Sequence, residues 1–246
     1  VKKHTICLER LPQAMNGTTV VQLSDIHVGP TLKRPRIVAL VDEVNSLKPD
    51  LVVITGDLVD GSVADLRDSV APLADLKSTY GTFFVTGNHE YYSGVSAWLR
   101  ELESLGIRVL RNECLSIGAG AASFDLAGVD DATAKFFGEG HGADYQKALE
   151  NHNKSKALVF LAHQPRQIFR LKNTDVDLML TGHTHGGQIW PFGFLVRLVQ
   201  PYLAGLVEHN GIHLYVSRGT GYWGPPMRLW APAEISHFTL ESPVIV

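Results

Sequence analysis

The sequence lacks the features that mark disulfide-stapled, membrane-spanning and nucleic-acid-binding proteins. Its 246 residues include two cysteines, Cys7 and Cys114, neither of them in a CxxC pair, which excludes a disulfide framework. No apolar run reaches the ~20 residues that a membrane helix needs, and the first segment, VKKHTICLERLP, has no apolar signal-peptide core. No block of lysine and arginine accompanies the net charge of −3, so we expect no nucleic-acid partner.

The length and composition are those of a globular α/β protein. Hydrophobic residue types make up 45% of the chain, and the sequence has no internal repeat and no low-complexity linker. We expect one domain over residues 1–246, with two smaller domains as the alternative. Because the chain begins at Val1 and not at a methionine, we also expect a membrane anchor to precede it. The cytoplasmic face is the favoured side, and the oligomeric state stays open.

Short apolar segments alternate with helical patterns in the first half of the chain. The predicted strands are TTVVQL (18–23), LVVIT (51–55) and TFFVT (82–86). The predicted helices cover residues 36–47, 63–77 and 94–106, and Pro72 kinks or splits the second of them.

The second half is richer in strands. The predicted strands lie in ECLSIG, SFDLAGV, ALVFLAH, VDLMLTGH, HLYVSRGTG and ISHFTLES, with one helix over residues 144–150. Alternating β and α units followed by a β-rich half predict a four-layer α/β/β/α sandwich. Two central, mostly mixed sheets would be flanked by helices.

Five of the predicted strands end in residue types that bind metals. In chain order these are Asp25 with His27, Asp57 with Asp60, Asn88 with His89, His163, and His183 with His185. In open α/β sheets the carboxyl ends of the strands form one rim, where ligands bind. A single residue of this kind is most often a turn or cap residue, but five such strand ends together favour a shared metal site.

The mixture of residue types favours a pair of divalent cations. Imidazole and carboxylate suit manganese, zinc and iron, and the absence of cysteine argues against a closed structural zinc site. Two cations about 3.5–4 Å apart clamp the attacking and leaving oxygens of a phosphoryl transfer and lower the pKa of bound water. Because cations so close repel each other, a carboxylate has to lie between them.

The motifs DIH, GDLVD, GNHE, AH and GHTH, in this order, resemble the signature of calcineurin-like metallophosphoesterases. The resemblance extends from about Val20 to Ser217. It implies a hydrolase that uses metal-activated water to cleave phosphodiester or pyrophosphate bonds. It also implies the ligands: Asp25, His27 and His185 for the first metal, Asp57 as the bridge, and Asn88, His163 and His183 for the second.

The resemblance gives His89 a role other than metal binding. His89 would face the phosphoryl oxygens, stabilise developing charge and protonate the leaving group. A general acid needs a partner that orients it, and Asp60 is the candidate, with a helix N-cap before SVADL as its alternative role. Glu90 is either a support behind a metal ligand or a solvated residue in an exposed turn.

Two segments bear on the substrate. The run from Trp190 to Leu206 is almost entirely apolar, so it either packs on the domain or touches lipid. The segment SRGTGYWGPPMRL offers Arg218 and Arg228 to a phosphate, and Tyr222 with Trp223 to a base or a membrane. The alternative for this segment is a tight turn between two strands. Trp190, Tyr222, Arg218 and Arg228 are therefore the predicted substrate contacts.

Four further segments are similar to a membrane-associated bacterial-type subgroup that includes UDP-2,3-diacylglucosamine hydrolases of lipid A synthesis. They are GHTHGGQ, AGL, YVSRGTG, and PPMRL followed by APAEI. That similarity implies a lipid-linked pyrophosphate substrate and a membrane surface as partner. A broad phosphodiesterase for small soluble esters is the alternative enzyme. A non-catalytic scaffold of the same fold is the alternative from another class, and the presence of His89 with every ligand type argues against it.

Overall fold

The computed structural model describes residues 1–243, so residues 244–246 of the predicted domain lie outside the described part. The strands are β1 (Lys2–Cys7), β2 (Thr18–Leu23), β3 (Leu51–Thr55), β4 (Thr82–Val85), β5 (Ile107–Val109), β6 (Glu113–Ala119), β7 (Ala122–Gly128), β8 (Leu158–Leu161), β9 (Leu178–Thr181), β10 (Gly205–His209), β11 (Ile212–Val216) and β12 (Ser236–Glu241). The α-helices are α1 (Arg34–Ser46), α2 (Val63–Val70), α3 (Asn88–Tyr92), α4 (Val95–Ser104), α5 (Tyr145–Leu149) and α6 (Gly193–Val199).

The strands form two six-stranded mixed sheets. The first has the order β1-β12-β2-β3-β4-β5, in which the β12–β2 pair is antiparallel and the other pairs are parallel. The second has the order β10-β11-β9-β8-β7-β6, with antiparallel pairs at its two edges. With helices on the outer faces, this architecture confirms the predicted four-layer sandwich.

Alternation along β3 shows how the layers pack. Val52 and Ile54 join the core that the first sheet forms with α1, α2 and α4. Leu51 and Val53 join the core between the two sheets. Neighbouring side chains of a strand point to opposite faces, and here both faces are covered. The strand is therefore apolar at every position but its last.

The helix predicted over residues 63–77 is split, which was one of its two predicted outcomes. Helix α2 ends at Val70, and a 3₁₀ helix over Ala71–Asp75 carries Pro72 in its first turn. Proline has no N–H to donate to the preceding turn, so an α-helix cannot continue through it unchanged. Strands β1, β5 and β10 and the short helix α3 were not predicted, because they are short or their polar residues mask an apolar period.

The rest of the chain covers only part of the apolar run of residues 190–206. Helix α6 has no buried residue, so it is not a core helix, and its contact with lipid stays a prediction. Beyond α6, Gln200 is buried, and Tyr202 packs against the outer core of the second sheet. No helix within residues 1–243 combines the length and the apolar character needed to cross a bilayer.

Candidate metal centre

Strands from both sheets end at one rim, where six of the seven predicted ligands form two groups and the seventh, Asn88, lines the same cavity. β2, β3 and β4 of the first sheet lead into loops that meet the loops after β8 and β9 of the second. The ligand atoms form two groups, each within 4.8 Å: Asp25, His27 and His185 in one, and Asp57, His163 and His183 in the other. The rim geometry of parallel strands therefore gathers residues that are up to 160 positions apart in sequence, from Asp25 to His185.

Asp57 lies between the two groups. Its Oδ2 is 3.1 Å from Nε2 of His163 and 3.8 Å from Nε2 of His27. Its Oδ1 accepts a hydrogen bond from the backbone N–H of His89 at 2.9 Å. One carboxylate thus faces both groups, as a bridging role requires, and that role remains a prediction for Asp57.

Five of the seven residues have a left-handed backbone. Their φ values are 52° for Asp25, 54° for His27, 51° for Asp57, 71° for His183 and 51° for His185. Positive φ is uncommon for residues other than glycine, although aspartate and histidine tolerate it better than most. Strained positions of this kind persist where the surrounding structure holds them, and they cluster at functional sites.

Two motif glycines allow the loops to approach each other. A Cβ on Gly56 would lie 2.5 Å from the backbone nitrogen of Gly87 and 2.7 Å from Nδ1 of His163. A Cβ on Gly182 would overlap the side chains of Ser24 and Asp25. These positions accept no side chain because the loops of the two sheets touch there.

Hydrogen bonds at the outer nitrogens orient two of the imidazoles. Nδ1 of His163 donates to the carbonyl oxygen of Thr55 at 2.8 Å, so Nε2 faces the site, 3.1 Å from Oδ2 of Asp57 and 3.1 Å from Nδ1 of His183. Nδ1 of His27 donates to Asp60 at 2.9 Å, and its Nε2 lies 3.1 Å from Nε2 of His185. Partners of this kind fix the tautomer of a metal-binding histidine.

Burial and local charge adjust the protonation of the ligands. Burial lowers the pKa of His185 to about 3, and burial with the neighbouring His163 lowers that of His183 to about 4. Both imidazoles are therefore neutral at pH 7, the form that binds a cation. Burial alone would raise the pKa of Asp57, but His163, His27 and His89 hold it well below its usual range.

The donor set fits a pair of divalent cations. Asn88 Oδ1 is buried and has no hydrogen-bond partner. A buried amide oxygen without a partner is unfavourable by ~1–3 kcal/mol, and a cation would satisfy it. Carboxylate, imidazole and amide donors, with no thiolate in either group, suit manganese, zinc or iron, which stay open as predicted.

Asp60 joins the predicted catalytic histidine to a predicted metal ligand. Its Oδ1 lies 2.6 Å from Nδ1 of His89 as well as 2.9 Å from Nδ1 of His27. Burial would raise the pKa of Asp60, but hydrogen bonds from the two histidines lower it to about 2. Ser62, and not Asp60, is the N-cap of α2, so the capping alternative is wrong.

His89 faces the space above the metal ligands. Its ring stands edge-on to those of Tyr92 and Trp223, with centroids 5.3 and 6.0 Å away. Burial would lower the pKa of His89, but the bond to Asp60 and the charges of Asp57 and Asp60 raise it above its ordinary value. Nδ1 is occupied by Asp60, so Nε2 is the atom left to meet a substrate.

We expect Asp60→Asn to lower turnover by about 10–100-fold, the usual effect of losing a partner behind a metal ligand or catalytic group. The amide oxygen keeps two lone pairs for the two imidazoles but accepts more weakly than a carboxylate, and the negative charge beside His89 is lost. Steady-state kcat with the metal content measured in parallel tests this. Asp68→Asn, an exposed carboxylate on α2, is the control. An Asp60→Asn protein with unchanged kcat would refute the positioning role.

Glu90 is a buried support, and its alternative as a solvated turn residue is wrong. It is fully buried, and its carboxylate accepts from the backbone N–H groups of Gly87, Asp57 and Leu58 at 2.6, 3.0 and 2.8 Å. Burial and the charge of Asp57 raise the pKa of Glu90 to about 7. Glu90 therefore ties the loop after β4 to the loop that carries Asp57.

A cavity of about 610 Å³ opens onto the metal ligands. Polar residues of the site form its floor, and its walls are mostly apolar. The wall residues are Tyr92, Ile189, Phe192, Val196, Trp223 and Pro225. The sequence motifs identify the floor, whereas most wall residues belong to no motif and were not assigned to the site.

The four predicted substrate contacts lie around this cavity and do not line it. Arg218 pairs with Glu234 at 3.1 Å, and Arg228 donates to the carbonyl oxygens of Gly221, His185 and Ala231. Tyr222 lines an adjoining groove with His27, Asp60 and His89. Trp190 lies in a separate groove beside Trp230. Their contact with substrate remains a prediction.

Sequence reasoning missed Gln188, which organises one wall of the cavity. Its side chain accepts from the backbone nitrogen of Trp223 at 2.9 Å and donates to the carbonyl oxygen of Trp223 at 2.7 Å. Its own carbonyl accepts from the backbone nitrogen of Leu229 at 2.9 Å. The segment over residues 218–231 is thereby fastened to the histidine loop, so the alternative of a tight turn is wrong.

A four-layer sandwich with aspartate, asparagine and histidine gathered at the strand ends defines a metallophosphoesterase. The calcineurin-like phosphoesterase profile matches residues 18–187, and the chain belongs to that family. Family membership and the complete set of ligand types identify this domain as a metal-dependent phosphoester hydrolase.

Relatives from bacteria and animals are similar over nearly the whole chain. An uncharacterized metallophosphoesterase of Helicobacter pylori is 44% identical, covering 98% of this chain and 63% of its own length. A Bos taurus transmembrane protein with metallophosphoesterase domain is 45% identical, and the match covers 96% of this chain and 55% of the relative's own length. The chain thus spans about 55–63% of the length of these relatives. A solved dimetal phosphatase of Danio rerio shares the fold, with a TM-score of 0.53 and 14% identity over 83% of this chain and 88% of its own.

Proposed function

We propose that the domain hydrolyses phosphodiester or pyrophosphate bonds in a lipid-linked substrate, of the kind exemplified by UDP-2,3-diacylglucosamine. The observation that carries the proposal is the cavity above the metal ligands. Its floor has the polar groups of a phosphoester hydrolase, and its walls have Ile189, Phe192 and Val196 where a small polar ester would need hydrogen bonds. Apolar walls favour an acyl or other hydrocarbon part by about 25 cal/mol for each Å² buried.

The two divalent cations, when bound, supply a nucleophile from water and neutralise charge on the phosphoryl group. The protein does the rest. The ligand residues would hold the cations, with Asp57 between them. Asp60 holds the ring of His89 through Nδ1, so that Nε2 can donate a proton to the leaving oxygen. The apolar walls exclude water beside the reacting group and orient the substrate tail.

We expect the metal-loaded protein to release UMP from UDP-2,3-diacylglucosamine in detergent micelles. Val196→Gln should raise KM for that substrate by about tenfold, since a polar group replaces part of an apolar wall, and should change KM for bis-p-nitrophenyl phosphate, which has no acyl part, much less. Val38→Gln, on the exposed side of α1, is the matched control. The readouts are UMP by chromatography and p-nitrophenolate by absorbance.

Two outcomes would favour the other candidates. Good turnover of bis-p-nitrophenyl phosphate without any UMP release would replace the lipid-linked substrate with small soluble esters. Full metal occupancy without hydrolysis of any phosphoester in a broad panel would favour the non-catalytic scaffold.

The relative described as a transmembrane protein supports a position near a membrane, and we keep the cytoplasmic face as the proposed side.

A further inference from the structure

An exposed apolar surface surrounds the mouth of the cavity. We name it the apolar rim and define it as Trp190–Val199 together with Trp223–Trp230. Leu198, Trp230 and Phe194 are 81%, 78% and 67% exposed. Each of the helices α1 to α5 buries at least one residue, whereas α6 buries none. The two segments form one surface, because the rings of Trp190 and Trp230 lie 5.3 Å apart.

The rim is continuous with the candidate active site. Phe192 and Val196 on one side and Trp223 and Pro225 on the other line the same cavity as the metal ligands. Leu195 and Leu198 line neither this cavity nor the groove beside Trp190, and both are exposed. One helix thus has residues that face the reacting centre and residues that face outward beside its entrance.

The apolar rim and the chain directly beside it carry charges of one sign. Residues 189–207 and 218–233 contain no aspartate and no glutamate, but they contain Arg197, Arg218 and Arg228. Arg218 is paired with Glu234, and Arg228 is engaged with backbone carbonyls, so Arg197 is the exposed cation. Aromatic and aliphatic side chains beside an arginine, with no carboxylate, match the requirements of an anionic membrane interface.

A second copy of the chain fits this surface less well. Contact across a two-fold axis would bring Arg197 of both copies to a surface that offers no carboxylate to pair with them. It would also cover the entrance formed by Phe192, Val196 and Trp223, through which a substrate has to pass. A bilayer avoids both conflicts, because it holds the substrate and carries the counter-charge.

We propose that the apolar rim docks onto a bilayer that carries anionic lipid, with the outward residues of α6 inserted at the headgroup level and the cavity opening toward the membrane. This inference rests on the proposed function for the identity of the substrate. It adds the surface through which the protein takes up that substrate from the membrane. It also adds the preference of this surface for anionic lipid. Docking of this kind lets a lipid-linked phosphoester reach the metals while its acyl part moves from lipid to apolar protein walls.

The test measures binding of the metal-loaded chain to phosphatidylcholine vesicles with and without phosphatidylglycerol. Leu195→Gln/Leu198→Gln should weaken partition by about tenfold or more, and Val38→Gln should not. Arg197→Gln should reduce the preference for phosphatidylglycerol by about fivefold, with Arg100→Gln, an exposed arginine of α4, as control. All of these side chains are exposed, so thermal melting should be unchanged.

Activity measurements separate this inference from the proposed function. The double variant should lose hydrolysis of a lipid-linked substrate in vesicles and keep hydrolysis of bis-p-nitrophenyl phosphate. If the wild-type chain releases UMP in micelles but binds no vesicles, the docking surface is wrong and the proposed function stands. If it binds vesicles through α6 but cleaves no lipid-linked phosphoester, the proposed substrate is wrong and docking stands. A dimer that the double variant converts to monomer, without vesicle binding, would overturn the bilayer as occupant.

Discussion

His89→Ala is expected to lower kcat by about 10²–10⁴-fold, the contribution of a well-placed general acid, while both metal sites stay filled. The imidazole lies beside the ligand groups without belonging to the predicted ligand set. The hydrogen bond from this position to Asp57 uses the backbone N–H, which alanine retains, while the imidazole Nε2 lies 4.0 Å from Oδ2 of Asp57. The substitution therefore removes the proton donor and leaves the predicted bridge in place.

Substrates with different leaving groups distinguish this role from a general loss of structure. A p-nitrophenyl ester, whose leaving group needs little protonation, should lose much less rate than an alkyl phosphodiester. Metal content is measured by mass spectrometry on the same samples. His213→Ala, on β11 of the second sheet, is the control for removal of an imidazole. Loss of a cation from His89→Ala would make His89 a ligand and overturn the assignment.

Asp57→Asn is expected to weaken both metal sites by about 10²–10³-fold. The carboxylate lies between the two groups, with Oδ2 3.1 Å from His163 and 3.8 Å from His27. Unit charges 4 Å apart interact by about 4 kcal/mol at an effective dielectric constant of about 20, and a neutral amide loses this attraction toward both cations. Asparagine has nearly the same shape as aspartate, so the loss of metal affinity would come from the missing charge and not from altered packing.

Asp25→Asn provides the comparison, because Asp25 lies in one group only. It should weaken one site and leave the other close to its original affinity. Titration of the metal-free proteins by calorimetry, with cation content measured after gel filtration, separates the two patterns. Unchanged affinity at both sites in Asp57→Asn would exclude Asp57 as the bridge.

The motif residues and the strands before them were accessible to sequence reasoning because their signals are local. An apolar run such as LVVIT predicts a buried strand by itself, and the position of Asp57 just after it follows from the same run. The structure adds that the strand is buried on both faces. The residues that support the loops around the metal ligands were harder to predict. Glu90 and Gln188 act on the backbone of distant loops, which no spacing in the sequence indicates.

The sequence alone determined the layer architecture and which strand ends carry metal-binding residues, since hydrophobic period and residue type depend on near neighbours in the chain. Only the tertiary structure decided which groups meet. It placed Asp60 on both His27 and His89, turned Arg228 inward to the loop of His185, and left α6 exposed beside the cavity. The physical reason is that burial and pairing depend on what the rest of the fold packs against a segment. The sequence of an apolar helix, or the presence of a charged side chain, does not show which distant residues will contact it in the folded protein.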